Sequence, residues 1–253
     1  MHNRATQPSY GLGILATPKS WLRLKLGYGY AFRLPSIADQ FADEVFIQGK
    51  ADLNPETSHS LIGTVEADLF GKTLSARLTG FSQQVDSLIQ YLYDPSIFRS
   101  IPHNVHRFRS NGLDVSLSLQ LPVQHQLTWG GVYQKAEQTV VSGQYIDAHY
   151  VPDIKWRLDW QGNAIRRLTY NLNLSYTSNR SIILYTGETK TIAYVYELGA
   201  SVTIPVASFA ELSVIGYDLT DERRPDQFGF VANDGDYPTP GRRLVAQLRV
   251  NVR

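Results

Sequence analysis

Alternation of apolar and polar residues at a period of two, repeated along nearly the whole chain, restricts the possible fold more than any other feature. Leu22, Leu24, Leu26, Tyr28, Tyr30 and Phe32 fall on one side, and Arg23, Lys25, Gly27 and Gly29 on the other. Successive side chains of a strand point to opposite faces, so this spacing describes a ribbon with one apolar and one polar surface. The pattern returns in Leu113, Val115, Leu117 and Leu119 against Asp114, Ser116, Ser118 and Gln120, in Leu168 to Tyr176, and in Leu244 to Val252. No stretch of helical period is comparable. Eleven strands are expected, at 5–16, 21–33, 56–70, 72–92, 106–121, 124–138, 150–162, 167–178, 191–204, 208–220 and 240–253. Many are longer than the roughly 9–11 residues that cross a bilayer at a tilt.

The connections sort by length. Tight turns are expected at Thr17-Pro18-Lys19-Ser20, Phe70-Gly71-Lys72, Pro122-Val123-Gln124, Asn163-Ala164-Ile165-Arg166 and Pro205-Val206-Ala207, and between them lie long links at 34–55, 93–105, 139–149, 179–190 and 221–239. Turns at one rim and loops at the other characterise an outer-membrane barrel, with the short side periplasmic and the long side extracellular. The fold class is therefore all-β: a transmembrane antiparallel β-barrel fragment of about eleven up-and-down strands. Trp21, Tyr28, Tyr30, Phe32, Trp156, Trp160, Tyr170, Tyr176, Tyr194 and Tyr196 sit where an interfacial girdle needs amphipathic rings, although packing between two sheets would use the same residues.

Bulk composition narrows function mainly by exclusion. The formal net charge is +1 with 19% charged residues, which suggests no nucleic-acid partner. There is no Cys, so disulfides and thiolate chemistry are excluded. Residues 1–10 lack the basic and apolar regions of a signal peptide, and no run approaches the length of a spanning helix. A nucleophile elbow, a His-Glu-x-x-His helix and a phosphate-cradling P-loop are all missing, so neither an enzyme nor a resident cofactor is expected.

A sheet in lipid must close, because an open edge exposes backbone groups that each cost several kcal/mol to leave unpaired. Single-chain bacterial barrels close with even strand numbers. Eleven strands therefore suggest part of a longer protein. Counting back from the last strand puts Met1 in what would be an extracellular loop of the parent, whose export signal, remaining strands and plug would lie upstream.

Several segments resemble the C-terminal half of TonB-dependent outer-membrane receptors, especially the cobalamin and siderophore group. Tyr28-Gly29-Tyr30-Ala31-Phe32-Arg33-Leu34-Pro35-Ser36 is similar to the family's strand-to-loop segment, and Leu53-Asn54-Pro55-Glu56-Thr57-Ser58 to its approach to the next strand. Asn111-Gly112-Leu113-Asp114 resembles a Gly-x-Glu strand start with Asp replacing Glu, and Tyr237-Pro238-Thr239-Pro240-Gly241-Arg242 the approach to the final strand. In order and spacing these motifs cover residues about 28 to 253. The resemblance implies a 22-stranded parent barrel, of which residues 1–253 would be the C-terminal half, with the plug and TonB box absent here. It also implies active uptake of a scarce nutrient, a metal–siderophore complex or cobalamin, energised through TonB at the outer membrane of a Gram-negative bacterium. The implied partners are outer-membrane lipid, the upstream half-barrel and plug, the TonB complex, and a small chelate or vitamin. Family barrels usually finish on an aromatic residue, whereas this sequence stops at Arg253. A passive porin-like or self-assembling half-barrel and a soluble β-sandwich adhesin are the alternatives.

Candidate ligand contacts cluster where strands meet long links: Arg33, Tyr91, Tyr93, His103, His106, Arg107 and Arg109. Each also fits an ordinary rim or lumen role, and the family-motif positions Phe32, Arg33, Pro35, Asn54, Pro55, Glu56, Gly112, Asp114, Pro240, Gly241 and Arg242 read as structural. His103 and His106, three apart, fall on opposite faces of a strand, which weakens chelation. Asp39, Asp43 and Glu44 lack the spacing of a calcium loop, so no metal is assigned.

Overall fold

The structure, a computed structural model, describes residues 8–104, 107–139, 144–164, 168–183, 189–222, 225–226, 237–238 and 240–250. In chain order the first elements are β1 (Tyr10–Lys19), β2 (Leu22–Arg33), a short helix α1 (Ile37–Phe41), β3 (Glu56–Leu69), β4 (Leu74–Asp86), β5 (Ile89–Asp94), β6 (Arg99–Asn104), β7 (Arg107–Leu121) and β8 (His125–Thr139). They are followed by β9 (Tyr145–Asp147), β10 (Ile154–Asn163), β11 (Thr169–Thr177), β12 (Arg180–Ile183), β13 (Thr189–Ile192), β14 (Val195–Ala207), β15 (Ala210–Tyr217), β16 (Pro225–Asp226), β17 (Tyr237–Pro238) and β18 (Arg243–Val250).

The main sheet is a meander in the order β1-β2-β3-β4-β7-β8-β10-β11-β14-β15-β18, with β9 added to β8. Each long strand pairs with its sequence neighbour, and the four intervening pieces β5–β6 and β12–β13 form separate two-stranded sheets. The chain falls into two units, one of Met1–Val65, Thr79–Leu113 and Gln134–Val151, the other of Glu66–Leu78, Asp114–Tyr133 and Pro152–Arg253.

Within the first unit the β1–β2 register sets Tyr10 against Tyr30, Leu12 against Tyr28 and Ile14 against Leu26, all on one face. Within the second, Trp156, Tyr176 and Tyr196 share a row across β10, β11 and β14, as do Leu158, Leu174 and Leu198. In the first row the Trp156 and Tyr176 rings stack at 5.8 Å, and the Tyr176 and Tyr196 rings meet tilted at 4.8 Å. On the reverse face Arg157, Ser175 and Glu197 form one row and Gln161, Asn171 and Ser201 another. Polar side chains on that face bond across strands: Gln126 donates to Ser118 at 2.9 Å, Gln161 to Gln126 at 2.7 Å, and Asn163 to Gln124. The buried aliphatics Leu53, Val85 and Ile89 of the first unit, and Ile182, Ile192 and Val195 of the second, lie at or next to the long links.

The eleven expected strands all occur, with some corrections at their ends. The strand expected over 72–92 ends at Asp86, because Ser87 turns back in the left-handed region at φ 56 and the following alternation belongs to the hairpin β5–β6. The turn expected at Pro205-Val206-Ala207 lies at Ser208-Phe209, since β14 runs on to pair Ala207 with Ala210. The first turn is Ser20-Trp21, because Thr17, Pro18 and Lys19 remain in β1. Phe70, Gly71 and Lys72 do form a turn, all three at positive φ. Residues 5–7 of the first expected strand, 165–166 of the fourth turn and most of 223–239 lie outside the described residues.

Candidate functional site

The link 34–55 is folded onto the hairpin β5–β6, and charged side chains hold it there. Pro35 disfavours a helical Leu34, and Ser36 then starts α1 as its N-cap. Its hydroxyl accepts from the Asp39 backbone N–H at 3.0 Å, while the Asp39 carboxylate accepts from the Ser36 N–H at 2.8 Å, a reciprocal capping box. The same carboxylate accepts from the Tyr91 hydroxyl at 2.7 Å and lies 3.8 Å from Arg33. Asp39 is only 5% exposed, so these donors replace the water it has lost.

Glu56, at the start of β3, is the second anchor. Arg33 donates to both its oxygens, at 2.8 and 2.7 Å, and the Ile89 backbone N–H donates to it at 2.7 Å. Bidentate geometry makes this pair directional as well as strong. Asn104 is the third: its side chain accepts from Asn54 N–H at 2.8 Å and donates to the carbonyls of Asn54 and Ser87 at 3.0 and 2.7 Å. Farther out, Arg99 binds Asp43 at 2.6 Å, and Ser100 exchanges backbone bonds with Phe46 and Gln48. Gly49 bonds back to Ala42, and a Cβ there would lie 2.5 Å from the Phe41 nitrogen, so no other residue fits that approach without displacing backbone.

Thus Arg33 and Tyr91 meet through Asp39. Tyr93 follows on β5 opposite Ser100, and His103 on β6 opposite Gln90. Arg107 and Arg109 lie apart from this group, paired with Asp86 at 2.7 Å and Glu137 at 2.5 Å. His106 lies outside the described residues. Of the motif positions, Phe32 ends the apolar face of β2, and Gly112 and Asp114 lie in mid-β7. Pro240 precedes a cramped Gly241, whose Cβ would lie 2.6 Å from the Asp221 carboxylate that accepts the Arg242 N–H. Asp39 is spent on Ser36 and Tyr91 and Asp43 on Arg99, and among the described residues no group of three His, Cys, Asp or Glu is placed to hold a metal. Asn104 and Gly49 had no sequence signal. The docked link exposes apolar side chains, with Ile37, Phe41, Val45 and Phe46 all more than half exposed, as is Phe98 at the tip of the hairpin.

Asp39 in α1 and Tyr91 in β5 both lie outside the main sheet and shift each other. The hydrogen bond to Asp39, then burial, pushes the Tyr91 phenol up to about 12. Burial alone would raise the Asp39 carboxyl, but hydrogen bonds from Tyr91 and Ser36 outweigh it and hold the group below the usual range. The Asp39 contribution is thus present above the unfolded carboxyl value of about 4 and lost as pH falls through the lower folded value. That of Tyr91 is present below about 10 and lost as pH rises toward the folded value. The phenolate absorbance of the protein minus that of Y91F is expected to titrate near 12; a midpoint at the ordinary value of about 10 would show that the bond to Asp39 is not made.

The profile of the TonB dependent receptor-like β-barrel family matches residues 2–251, and the chain belongs to that family. Among solved structures it is similar to the ferric-catecholate import receptor Fiu from K12 E. coli, with a TM-score of 0.73 at 15% identity, covering 96% of this chain and 34% of that one. The copper transporter OprC gives a TM-score of 0.74 at 18% identity, covering 95% of this chain and 39% of that one. The siderophore receptor PirA from Acinetobacter baumannii gives 0.74 at 16% identity, covering 96% and 40%. The chain therefore spans between a third and two-fifths of the length of these proteins. No curated protein matches it.

Proposed function

We propose that the chain is the C-terminal portion of the barrel wall of an outer-membrane uptake receptor, with its docked long links forming part of the surface that captures a metal chelate. The observation that carries this is the exposure of aliphatic side chains along one face of the sheet, Leu12 at 75%, Leu61 at 48%, Leu113 at 49% and Leu248 at 62% among them. Leaving such partly exposed side chains in water forfeits about 1–2 kcal/mol each, in proportion to the area left uncovered, a cost that hydrocarbon removes. The opposite polar face suits a wet lumen. A plug and the TonB complex would belong to the rest of the receptor, and the work is binding and passage rather than catalysis. The ligand class rests on the similar structures, which are named for ferric catecholate, siderophores and copper.

The docked link and the β5–β6 hairpin offer exposed aromatic rings, Phe41 and Phe46 on the link and Phe98 on the hairpin, and the Arg33 guanidinium at the start of the link is half-exposed. That mixture fits a flat, anionic chelate, the rings by stacking and the cation by charge. The test titrates the chain, refolded in detergent, with a ferric tris-catecholate complex and follows quenching of its tyrosine and tryptophan emission. Saturable quenching that weakens about tenfold in F46A/F98A is expected, as for loss of hot-spot aromatics. Quenching that is unsaturable with ferric catecholate, ferric hydroxamate and cupric chelate alike would remove the chelate-capture role.

A further inference from the structure

We propose that the polar face of β7, β8, β10 and β11 carries a site for a small zwitterion of the amino-acid type, its ammonium group on Asp114 and its carboxylate on Lys155. The inference rests on the lumen proposed above and narrows the cargo to chelates or nutrients that carry such a group.

A recess of about 520 Å³ opens on this face, entirely within the second unit. Asp114 and Ser116 of β7 border it on one side, and Lys155 and Arg157 of β10 on the other. Its floor is Gly130 of β8, which pairs with Arg157 and puts no side chain into the space. The bond from Gln126 to Ser118 places Ser118 on the polar face, and Ser116 and Asp114 follow at even spacing. Register sets Lys155 beside Thr177 and Arg157 beside Ser175 on that same face. With β8 between them, β7 and β10 are two strand spacings apart, about 10 Å, so their side chains look at each other across the bare glycine.

Of the four charges that line the recess, two are spent and two are not. Arg77 meets Glu66 at 3.2 Å, and Arg157 donates through Nε and Nη2 to both oxygens of Asp159, at 2.7 and 2.8 Å. Asp114 and Lys155 remain, both exposed and neither bonded to a described side chain. Two further carboxylates lie outside the lining: Asp153 precedes β10, and Glu197 sits one strand beyond Ser175, whose hydroxyl donates to it at 3.5 Å. Elsewhere on this face opposite charges pair across neighbouring strands, as Glu66 and Arg77 do. Here the intervening β8 keeps Asp114 and Lys155 apart, and Gly130 leaves the space between them open. One carboxylate and one ammonium offer no net charge to a simple anion or cation, and they match a ligand that carries both signs. The hydroxyls of Ser116, Ser175 and Thr177 add donors and acceptors along the same walls.

The experiment introduces S175C into the bilayer-reconstituted chain and measures how fast a water-soluble maleimide labels it. Millimolar dialanine is expected to slow the labelling. N-acetyl-dialanine, which lacks the ammonium, and dialanine amide, which lacks the carboxylate, should each protect about tenfold more weakly, as for loss of one charge-assisted bond. D114N should no longer distinguish dialanine from its acetylated form, and K155Q should no longer distinguish it from the amide, because each variant has lost the group that reads the missing end. Neither side chain bonds to another in the chain, so both variants keep the sheet intact. Equal protection by the three dipeptides, or by dialanine in the chain and in both variants, would overturn the site. Free labelling that no dipeptide slows overturns the zwitterion site alone; a cysteine that the maleimide never reaches overturns the wet lumen with it.

Discussion

E56A is expected to release the link 34–55 from the hairpin β5–β6 while leaving the main sheet intact. Glu56 is 8% exposed and satisfies the backbone N–H of Ile89, itself 8% exposed, so alanine leaves that donor buried without a partner. It also strands Arg33, whose side chain is 53% exposed and can rehydrate, so that half of the loss is discounted. Together these give a local destabilisation of roughly 2–3 kcal/mol, below the range for a fully buried pair. Hydrogen exchange at the Ile89 amide should accelerate by about a hundredfold, one factor of ten for each 1.4 kcal/mol. R33Q should cost less than half as much, because Glu56 keeps its bond to Ile89. Unchanged exchange in E56A would show that the link is held by its backbone and apolar contacts instead.

The second large effect belongs to the apolar face of the sheet, the one proposed to meet lipid. Leu172 lies mid-strand in β11 with 40% of its surface exposed, paired with Trp160 and Ala200 in the apolar rows, and its neighbour Asn171 is paired with Gln161 and Ser201 in the polar rows. L172R places a charge near the middle of the bilayer and is expected to cost about 2–4 kcal/mol of folding stability in phosphatidylcholine bilayers. N171R, one residue away, lies on the polar face and should change stability by less than about 1 kcal/mol. Urea unfolding of the two variants measures the difference. Equal costs would mean that the faces are not assigned as described.

The strands were legible because each long segment obeys one period, and nothing in β11 or β14 competes with it. Alternation misled at 72–92 for the same reason: Val85, Ile89, Tyr91 and Tyr93 keep the rhythm of a strand, while the reversal depends on a positive φ at Ser87 that a serine does not advertise. The turn at Ser208-Phe209 was missed because Pro205 reads as a breaker, yet it lies beside a register shift in β14 near the turn, where a missing N–H is tolerated.

The site was only partly legible. Arg33, Glu56 and Tyr91 stood out as polar or aromatic residues where strands meet links, but their partners are 23 to 52 residues away. Asp39 drew attention as one of three nearby carboxylates, whereas its actual place is between a helix cap and a phenol. Gly49 and Asn104 act only through close approach of segments distant in sequence, and no local pattern marks them.

The most direct measurement of the membrane-wall assignment uses the absence of cysteine from the chain. Single cysteines placed in turn at Asn171, Leu172, Asn173, Leu174 and Ser175 of the bilayer-reconstituted protein can each carry a fluorophore without background labelling. Emission from positions 172 and 174 is expected to be quenched by nitroxide-bearing lipid, and emission from 171, 173 and 175 by a water-soluble quencher, in strict alternation. Five positions answering alike to both quenchers, or the opposite phase, would contradict a sheet with one face in lipid and the other lining a wet lumen.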